Sequence, residues 1–311
     1  MAERPLPLPA LREAIGFPAP STLRGNLESL SALGALAVRR REGKSNQYDN
    51  SLTPLGEELL GVADAIEAWL SEAPAGPFKL GDSASKAAIG ALIDGWDAAI
   101  VRELAPRPRA LAELNDLISD VSYPTLSRRL AAMHLVGQVE RRKLDGPKRV
   151  YQATDWLRRA VLPLGVAARC ELRHLRETAT PATRVEVESA FLLALPLAGP
   201  PEAVSGVCTL AVDTGIPGGR ARLAGVQVEV RDGRVASCST RLVEKPSTWA
   251  VGSVESWLDA AIAGDSTSLR VGGKAPDLPM GMVAAIHEAL KGTCPPPQGM
   301  DRVLDKYVDV L

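Results

Sequence analysis

Residues 111–153 read LAELNDLISDVSYPTLSRRLAAMHLVGQVERRKLDGPKRVYQA, and most of the organisation of the chain follows from this stretch. Apolar residues recur in it at the spacing of one helical face, in two runs: Leu111, Leu114 and Ile118, and then Leu126, Leu130 and Met133. Ser122 is a suitable N-cap for the second run, Pro124 suits its first turn, and Gly137 suits its end. The pattern predicts two consecutive helices joined by a short turn.

A hairpin is expected after the second helix. Residues 138–144 and 148–153 form two extended, basic runs, and residues 145–147 between them, Asp-Gly-Pro, are typical of a turn. Upstream, an apolar stripe at helical spacing predicts a third helix: Ala88, Leu92, Trp96, Ile100 and Leu104. Three helices followed by a basic hairpin make up a winged helix-turn-helix. In this fold, the second helix of the helix-turn-helix motif, the recognition helix, lies in the DNA major groove.

The same pattern occurs once more at the start of the chain. A shift of 103 residues, without gaps, aligns Leu8 with Leu111, Leu11 with Leu114, Leu27 with Leu130, Gly34 with Gly137 and Tyr48 with Tyr151. Agreement of apolar positions, glycines and tyrosines in one register indicates an internal duplication. We therefore predict two tandem winged helix units, residues 1–75 and 76–178. The first is expected to lack its own first helix, because too few residues precede the repeated pattern.

Basic side chains are concentrated in the second unit. The whole chain carries 36 basic and 37 acidic residues, a formal charge of −1, whereas residues 101–176 hold 15 basic and 8 acidic side chains. Clustered positive charge in a neutral protein is the footprint of a polyanionic partner. On charge alone, a solvated helical face explains the cluster equally well.

Short matches across both units carry a family resemblance. They are Trp96, Ile100–Leu104, Leu111–Leu114, Thr125-Leu126, Arg129-Leu130, Val139–Arg141, Pro147 and Val150-Tyr151, together with Tyr48 and Leu52–Gly56. In this order they resemble the HxlR/MarR group of bacterial winged-helix transcription factors. The chain departs from that group at residues 153–156, Ala-Thr-Asp-Trp, where the family has a Leu-Thr-x-x-Gly turn. The resemblance implies a transcriptional regulator that binds a double-stranded DNA operator.

The helix that begins near Pro124 is expected to carry the base contacts. With its apolar residues facing inward, Arg128 lies on the opposite side and Arg129 at the border of the apolar face. An exposed arginine on such a helix can pair with guanine, whereas an ion pair within the protein is the alternative role for Arg129. Basic hairpins contact phosphate. The candidate DNA-binding residues are Thr22, Arg24, Asn26, Arg40, Arg41, Lys44, Thr125, Ser127, Arg128, Arg129, Arg141, Arg142, Lys148 and Arg149.

Residues 179–311 follow a different pattern. Alternating runs separated by glycine predict strands, and two longer apolar runs predict helices. The strands are expected at 206–212, 223–230, 235–243 and 269–271, and the helices at 254–263 and 279–291. The predicted fold class is α+β: two tandem winged helix-turn-helix units followed by a small α+β domain with a curved antiparallel sheet.

Four segments of this last region carry a second resemblance: Trp249–Ser253, Trp257–Ala260, Gly264-Asp265 and Leu269–Gly273. They resemble the sterol carrier protein type 2 fold, in which a curved sheet and helices enclose an apolar cavity. The resemblance implies a pocket for an apolar or aromatic small molecule. The candidate ligand-binding residues are Phe191, Leu192, Trp249, Trp257, Met280 and Met282. Ordinary core packing is the alternative role for each of them.

Three classes of function remain. The leading hypothesis is a transcriptional regulator whose DNA affinity depends on an apolar effector, acting as a monomeric pseudo-dimer or as a homodimer. A helix expected over residues 155–177 would connect the second unit to the effector domain. The alternative is a ligand-sequestering protein, such as a drug-binding resistance factor, in which the winged helices serve as a scaffold.

An enzyme is the third class, and the motifs disfavour it. The sequence contains no G-x-S-x-G elbow, no glycine-rich phosphate loop and no metal-ligand spacing, so we expect no catalytic residues, no metal site and no cofactor. No apolar run reaches the roughly 18 residues of a membrane-spanning helix. Prolines interrupt the first residues of the chain, unlike a secretory signal, and we therefore expect a cytoplasmic protein without a membrane partner.

Overall fold

The computed structural model describes most of the chain. It covers residues 5–14, 16, 18–40, 48–93, 95–118, 121–143, 149–175, 181–201, 204–215 and 222–292. Helices alternate with strands in these ranges, and the strands form three separate sheets. The α+β class predicted from the sequence is therefore confirmed.

The first unit combines a small sheet with three helices. Its elements are β1 (Leu6–Pro7), α1 (Leu8–Ala14), α2 (Pro20–Ala32), β2 (Leu36–Arg40), β3 (Tyr48–Leu52) and α3 (Pro54–Ser71). The strands lie in the order β1-β3-β2 and all pair antiparallel. Thr53 caps α3: its hydroxyl oxygen accepts the Gly56 N–H at 3.2 Å, and its hydroxyl donates to the Gly34 carbonyl at 2.6 Å.

The second unit contains the same series of elements and begins with two further helices. Its elements are α4 (Ser83–Ile93), α5 (Gly95–Leu104), β4 (Arg109–Ala110), α6 (Leu111–Leu117), α7 (Tyr123–Leu135), β5 (Val139–Lys143), β6 (Arg149–Ala153), α8 (Asp155–Arg159) and α9 (Val161–His174). The strand order β4-β6-β5 is again antiparallel.

Two predicted helices of this unit are each divided. The apolar stripe over residues 88–104 spans both α4 and α5, and α5 begins at Gly95, a residue with low helix propensity. The side chain of Trp96 lies outside the described part of the chain. The helix expected over 155–177 is interrupted at Ala160, between α8 and α9, and its last residues also lie outside the described ranges.

The helices and strands of the two units begin and end at repeated positions. Strands and helices β1, α1, α2 and β2 recur 103 residues later as β4, α6, α7 and β5. After the hairpin turn the shift is 101 residues, because Leu36 pairs with Leu52 whereas Val139 pairs with Ala153. The predicted match of Tyr48 with Tyr151 is therefore wrong. The connection between the hairpin strands is two residues shorter in the second unit, and an alignment without gaps cannot account for this difference.

Thr154 shows that the 101-residue shift relates equivalent positions. Its hydroxyl oxygen accepts the Leu157 N–H at 3.2 Å and its hydroxyl donates to the Gly137 carbonyl at 2.8 Å. Thr53 makes the same two contacts in the first unit. The departure from the Leu-Thr-x-x-Gly turn thus keeps the threonine that starts the helix.

The first unit has the smaller core. In the second unit, Ile100 and Leu104 of α5 are buried in one cluster with the apolar faces of α6 and α7. In the first unit, α1 contains no buried residue, and Leu30, the counterpart of Met133, is 42% exposed. In the described residues, the helices of the first unit therefore pack around fewer buried side chains than those of the second.

Two tryptophans join the units. Trp69 of α3 stacks on Trp156 of α8, with ring centroids 4.5 Å apart and ring planes at 6°. Each indole N–H donates to the backbone carbonyl of the other tryptophan, at 2.8 and 2.7 Å. By the 101-residue shift, their counterparts are Cys170 and Leu55, and these two lie together in a second buried cluster between α3 and α9.

Ion pairs repeat across this interface in the same reciprocal way. Arg173 of α9 lies 3.3 Å from Glu58 of α3, and Arg159 lies 2.7 Å from Glu72. Glu58 and Glu72 are the counterparts of Arg159 and Arg173, so each pair repeats the other with the charges exchanged. In an interface with two-fold symmetry, residue i of one copy contacts residue j of the other, and j contacts i. The two units of this chain are related in the same way.

The C-terminal domain contains a five-stranded sheet. Its elements are α10 (Arg184–Ala194), a 3-10 turn (Leu195–Leu197), β7 (Gly206–Asp213), β8 (Leu223–Arg231), β9 (Arg234–Ser239), β10 (Thr248–Ser253), α11 (Val254–Leu258), a π-helical turn (Asp259–Ala263), β11 (Arg270–Gly273) and α12 (Asp277–Lys291). The strand order is β11-β10-β7-β8-β9.

This sheet is not wholly antiparallel. Strands β7 and β10 run parallel, whereas the other three pairings are antiparallel as predicted. Strand β10 was not among the strands expected from the sequence. The Asp232-Gly233 hairpin is confirmed: both residues have positive φ, 49° and 66°, as a type I′ turn requires.

The C-terminal domain is attached to the second unit through a shared core. One cluster of buried apolar residues extends from α5 to α12. Within it, Arg158 of α8 is 1% exposed and its guanidinium donates to the carbonyls of Ala105 and Leu192, each at 3.1 Å. A buried cation that bridges two backbone segments fixes α8 to the end of α5 and to α10.

Candidate functional site

Helix α7 presents one arginine outward. Leu126, Leu130 and Met133 are buried, as the periodicity predicts, and Arg128 on the opposite face is exposed. Within the described residues, Arg128 forms no hydrogen bond or ion pair. Its guanidinium therefore keeps all of its donors available for a partner.

Other candidates on α7 are already engaged. The guanidinium of Arg129 lies 2.7 Å from Asp97 of α5, in a partly buried ion pair. Ser122 donates to the hydroxyl of Thr125 at 2.9 Å, and Ser127 is half-buried. Arg129 thus holds α7 against α5, which was its alternative role, and Arg128 is the arginine of this helix that stays exposed and without a partner among the described residues.

Helix α2 presents a weaker surface. Thr22, Arg24 and Asn26 are all exposed, but Arg24 is the single cation of the helix. Gly25 stands where the second unit has Arg128. The exposed faces of the two helices therefore differ in positive charge.

The second hairpin carries cations that already have partners within the protein and cations that have no acidic partner among the described residues. Arg141 donates to the hydroxyl of Tyr151 at 2.9 Å, and Arg142 lies 3.0 Å from Glu140. Lys143 and Arg149, which pair with each other across the hairpin, are both exposed, and neither contacts an acidic group in the described ranges.

The first hairpin resembles the second in part. Arg39 and Arg40 are exposed at the end of β2 and make no ion pair with any residue that the structure describes. The candidates Arg41, Lys44 and Lys148 lie outside the described residues. Each hairpin therefore carries at least two exposed cations at the end far from its helices.

A cavity of about 130 Å³ lies between α9 and the C-terminal domain. Its lining is apolar throughout: Val161 and Gly165 of α9, Val187, Ala190, Phe191 and Ala194 of α10, Val212, Val254, Trp257 and Leu258, Ala261 and Ile262 of the π-helical turn, and Ile286 and Leu290 of α12. Phe191 and Trp257 form part of the wall in an edge-to-face arrangement, with centroids 5.0 Å apart and planes at 90°.

Two of the six predicted ligand-binding residues line this cavity, namely Phe191 and Trp257. Leu192 and Met282 belong to the buried core, and Met280 is half-buried on α12 away from the cavity. Trp249 lies over Gly272 of the neighbouring strand: a Cβ at Gly272 would come within 2.6 Å of its ring. For these four residues the structure supports the packing role.

The sequence predicted that the helix over 155–177 connects the second unit to the effector domain, but not that α9 forms a wall of the cavity. A Cβ at Gly165 would lie 2.9 Å from the Cδ1 atom of Ile262, so the missing side chain permits close approach of the π-helical turn. Asp259 in that turn binds Arg169 at 2.8 Å and Arg173 at 3.1 Å. The one signal in the sequence was a glycine within an otherwise helical run.

Two of the described cysteines lie in the C-terminal domain, Cys208 buried and Cys238 half-buried. Burial raises the pKa of the Cys208 thiol to about 12, and burial followed by the proximity of Cys208 does the same for Cys238. Both thiols stay protonated near neutral pH, and the thiolate is the reactive form. The described residues also contain no group of three or more His, Cys, Asp or Glu side chains placed to hold a metal ion.

No family model, curated protein or solved structure matches the chain. None of the helices in the described ranges has both the length and the apolar character needed to cross a bilayer. The geometry of the exposed helices, the hairpins and the cavity is therefore the basis for a functional assignment.

Proposed function

We propose that the protein is a DNA-binding transcriptional regulator that responds to an apolar small molecule. In this proposal the two repeated units are winged helix-turn-helix modules, α2 and α7 are the reading helices, and the two hairpins are the wings. The observation that carries the proposal is the reciprocal arrangement of two such units in one chain. Regulators with one unit per subunit dimerise to place two reading helices on one operator.

Charge supports a nucleic-acid partner. Arg128, Lys143 and Arg149 are exposed cations without acidic partners in the described part of the second unit. An arginine on a reading helix can donate two hydrogen bonds to guanine, and cations on a wing neutralise phosphates. These cations lie on the helix and the hairpin that a winged helix presents to DNA, and their position, rather than their charge alone, favours a nucleic-acid partner.

The cavity supports the second candidate function, ligand sequestration. It is apolar, and its wall includes α9, which belongs to the second unit. Both functions require ligand binding, but only the regulator requires the ligand to change DNA affinity. A DNA titration with and without ligand therefore separates the two.

The DNA-binding half is tested with the intact chain. Binding sites are selected from a random double-stranded DNA library, and the Kd of the selected site is measured for the wild-type protein and for Arg128→Ala. We expect a loss of about 1–3 kcal/mol, the value of one bidentate contact between arginine and guanine. Arg102→Ala is the matched control, because Arg102 is an exposed arginine on α5, outside both reading helices.

Two results would contradict the proposal. Failure of the selection to enrich any sequence would argue against an operator-binding protein. Equal affinities of the Arg128→Ala variant and the wild type would remove Arg128 from the reading surface.

A further inference from the structure

The lining of the cavity beside α9 contains no side chain that could pair with a charged group of a ligand. None of the lining side chains is ionisable, and the indole N–H of Trp257 already donates to the carbonyl of Ala211 at 2.7 Å. A charged molecule would lose its hydration there and gain no hydrogen bond or counter-ion. The walls therefore select uncharged molecules.

The size of the cavity limits the ligand further. Its volume is about 130 Å³. An apolar cavity of about 150 Å³ lined by aliphatic and aromatic side chains stays dry and binds benzene. One six-membered ring fills this space, and only the part of a larger molecule equal to about one ring could lie inside it. The edge-to-face contact of Phe191 with Trp257 provides an aromatic surface for such a ring.

We propose that this cavity binds an uncharged molecule of about one aromatic ring, and that this molecule is the effector of the regulator. The effector role rests on the function proposed above, but the binding itself does not. The site lies between two modules of the chain, because α9 forms one wall and the C-terminal domain forms the others.

The π-helical turn connects the cavity to the interface between the two units. Ala261 and Ile262 line the cavity, while Asp259 of the same turn binds Arg173 of α9. Arg173 also contacts Glu58 of α3, in the first unit. A ligand that displaces this turn therefore acts on a residue shared by the two units. π-Helical turns occur frequently at functional sites, because their extra residue allows local rearrangement.

Calorimetric titration of the full-length protein tests the binding. The probes are toluene and benzoate, which share a ring and differ in charge. We expect toluene to bind and benzoate to bind at least about 100-fold more weakly, because the cavity cannot solvate a carboxylate. Benzoate binding as tightly as toluene, or no binding of toluene, would overturn the proposal.

Substitutions locate the site. Ala261→Leu fills the cavity from the π-helical turn and should lower the toluene affinity at least about tenfold. Ala284→Leu is the matched control, because Ala284 is exposed on α12 and does not line the cavity. Val254→Phe fills the cavity from α11 and gives the same answer if Ala261→Leu does not fold. Unchanged toluene affinity in a folded filled variant would place the site elsewhere.

The effector role is measured separately, by DNA titration with and without saturating toluene. We expect the DNA affinity to change about 5- to 150-fold. Asp259→Asn should retain toluene binding and lose most of this change. Toluene binding without any change in DNA affinity would refute the effector role, whereas a protein that binds no DNA would refute the proposed function and leave the toluene titration as a valid test of the cavity.

Discussion

Two tryptophans stabilise the contact between the repeated units in two ways. Their rings stack, which contributes about 0.5–1.5 kcal/mol beyond the burial of apolar area. Their indole N–H groups also satisfy each other's backbone carbonyls inside a region that water does not reach. Phe78 closes one side, with its ring edge toward Trp156 at a centroid distance of 6.1 Å.

Replacing Trp69 by phenylalanine should therefore destabilise the protein. The variant keeps a ring but removes the donor to the Trp156 carbonyl, and we expect a loss of about 1–3 kcal/mol in the free energy of unfolding, measured with urea. Trp249→Phe is the control, because no hydrogen bond is described for that indole, and its effect should be smaller. Equal losses in the two variants would contradict the role given to the reciprocal hydrogen bonds.

The sequence predicts single residues well where helix geometry decides their direction. Arg128 is exposed because its position lies opposite three buried residues, and that angle follows from the sequence alone. Whether Arg129 is a base reader or an ion-pair partner depends on Asp97, which lies 32 positions earlier in the chain. A contact of that kind requires the tertiary structure, and so does the pairing of Trp69 with Trp156.

At the scale of elements, the start of α3 is packed tightly against the backbone of Ala35, just before β2. A Cβ at Gly56 would lie 2.1 Å from the carbonyl oxygen of Ala35. Five residues later on the same helix, nothing lies within 4 Å of the Cβ position of Gly61. The two glycines thus have opposite roles within one helix.

Alanine at these two positions should give effects of opposite sign. Gly56→Ala forces α3 away from β2 and should cost about 1–3 kcal/mol, as overpacking does. Gly61→Ala should stabilise the protein by up to about 1 kcal/mol, because alanine has the higher helix propensity. Thermal unfolding of the two variants beside the wild type measures both effects, and a shift of the same sign in both would count against this packing.

The wings are expected to bind phosphate rather than bases. Replacing Lys143 and Arg149 together by alanine should weaken binding to specific and random DNA alike. The slope of log Kobs against log salt should become shallower by about 2, since each neutralised phosphate contributes about 0.9. Lys79 and Lys86, both exposed and outside the hairpins, provide a control pair with the same change in net charge. A loss confined to the specific sequence would indicate base contacts instead.

The sequence predicted helices correctly where apolar residues recurred at helical spacing over several turns. It missed a strand whose formation depends on pairing with neighbouring strands. Helices α6 and α7 follow from apolar residues at helical spacing, and α7 ends at Leu135, just before the predicted stop at Gly137. Strand β10 is short, contains Gly252 and exists because it pairs with β7 and β11. The cavity could not be anticipated residue by residue, since α9 and α12 approach each other only in the folded chain.

For the whole molecule, the reciprocal interface predicts how many chains bind one operator. If α2 and α7 are the reading helices, one chain carries both, so the proposed function predicts one chain per operator in light scattering of the protein–DNA complex. The two reading helices differ, with Gly25 and Asn26 in place of Arg128 and Arg129, so the operator should be an imperfect repeat. Two chains on one operator, or a symmetric footprint, would contradict this arrangement.

The one-sided attachment of the C-terminal domain has a consequence for the dose response. Where α9 has Gly165 and Arg169, the equivalent positions of α3 carry Asp64 and Ala68, so α3 does not provide a second copy of the cavity wall. A homodimer with one pocket per subunit can bind its effector cooperatively and respond steeply to concentration. In the proposed regulator, one effector molecule in this cavity would serve two reading helices, so occupancy of the cavity should follow a hyperbola with a Hill coefficient of about 1. Such a sensor grades its output over a wide range of effector concentrations and does not act as a threshold switch.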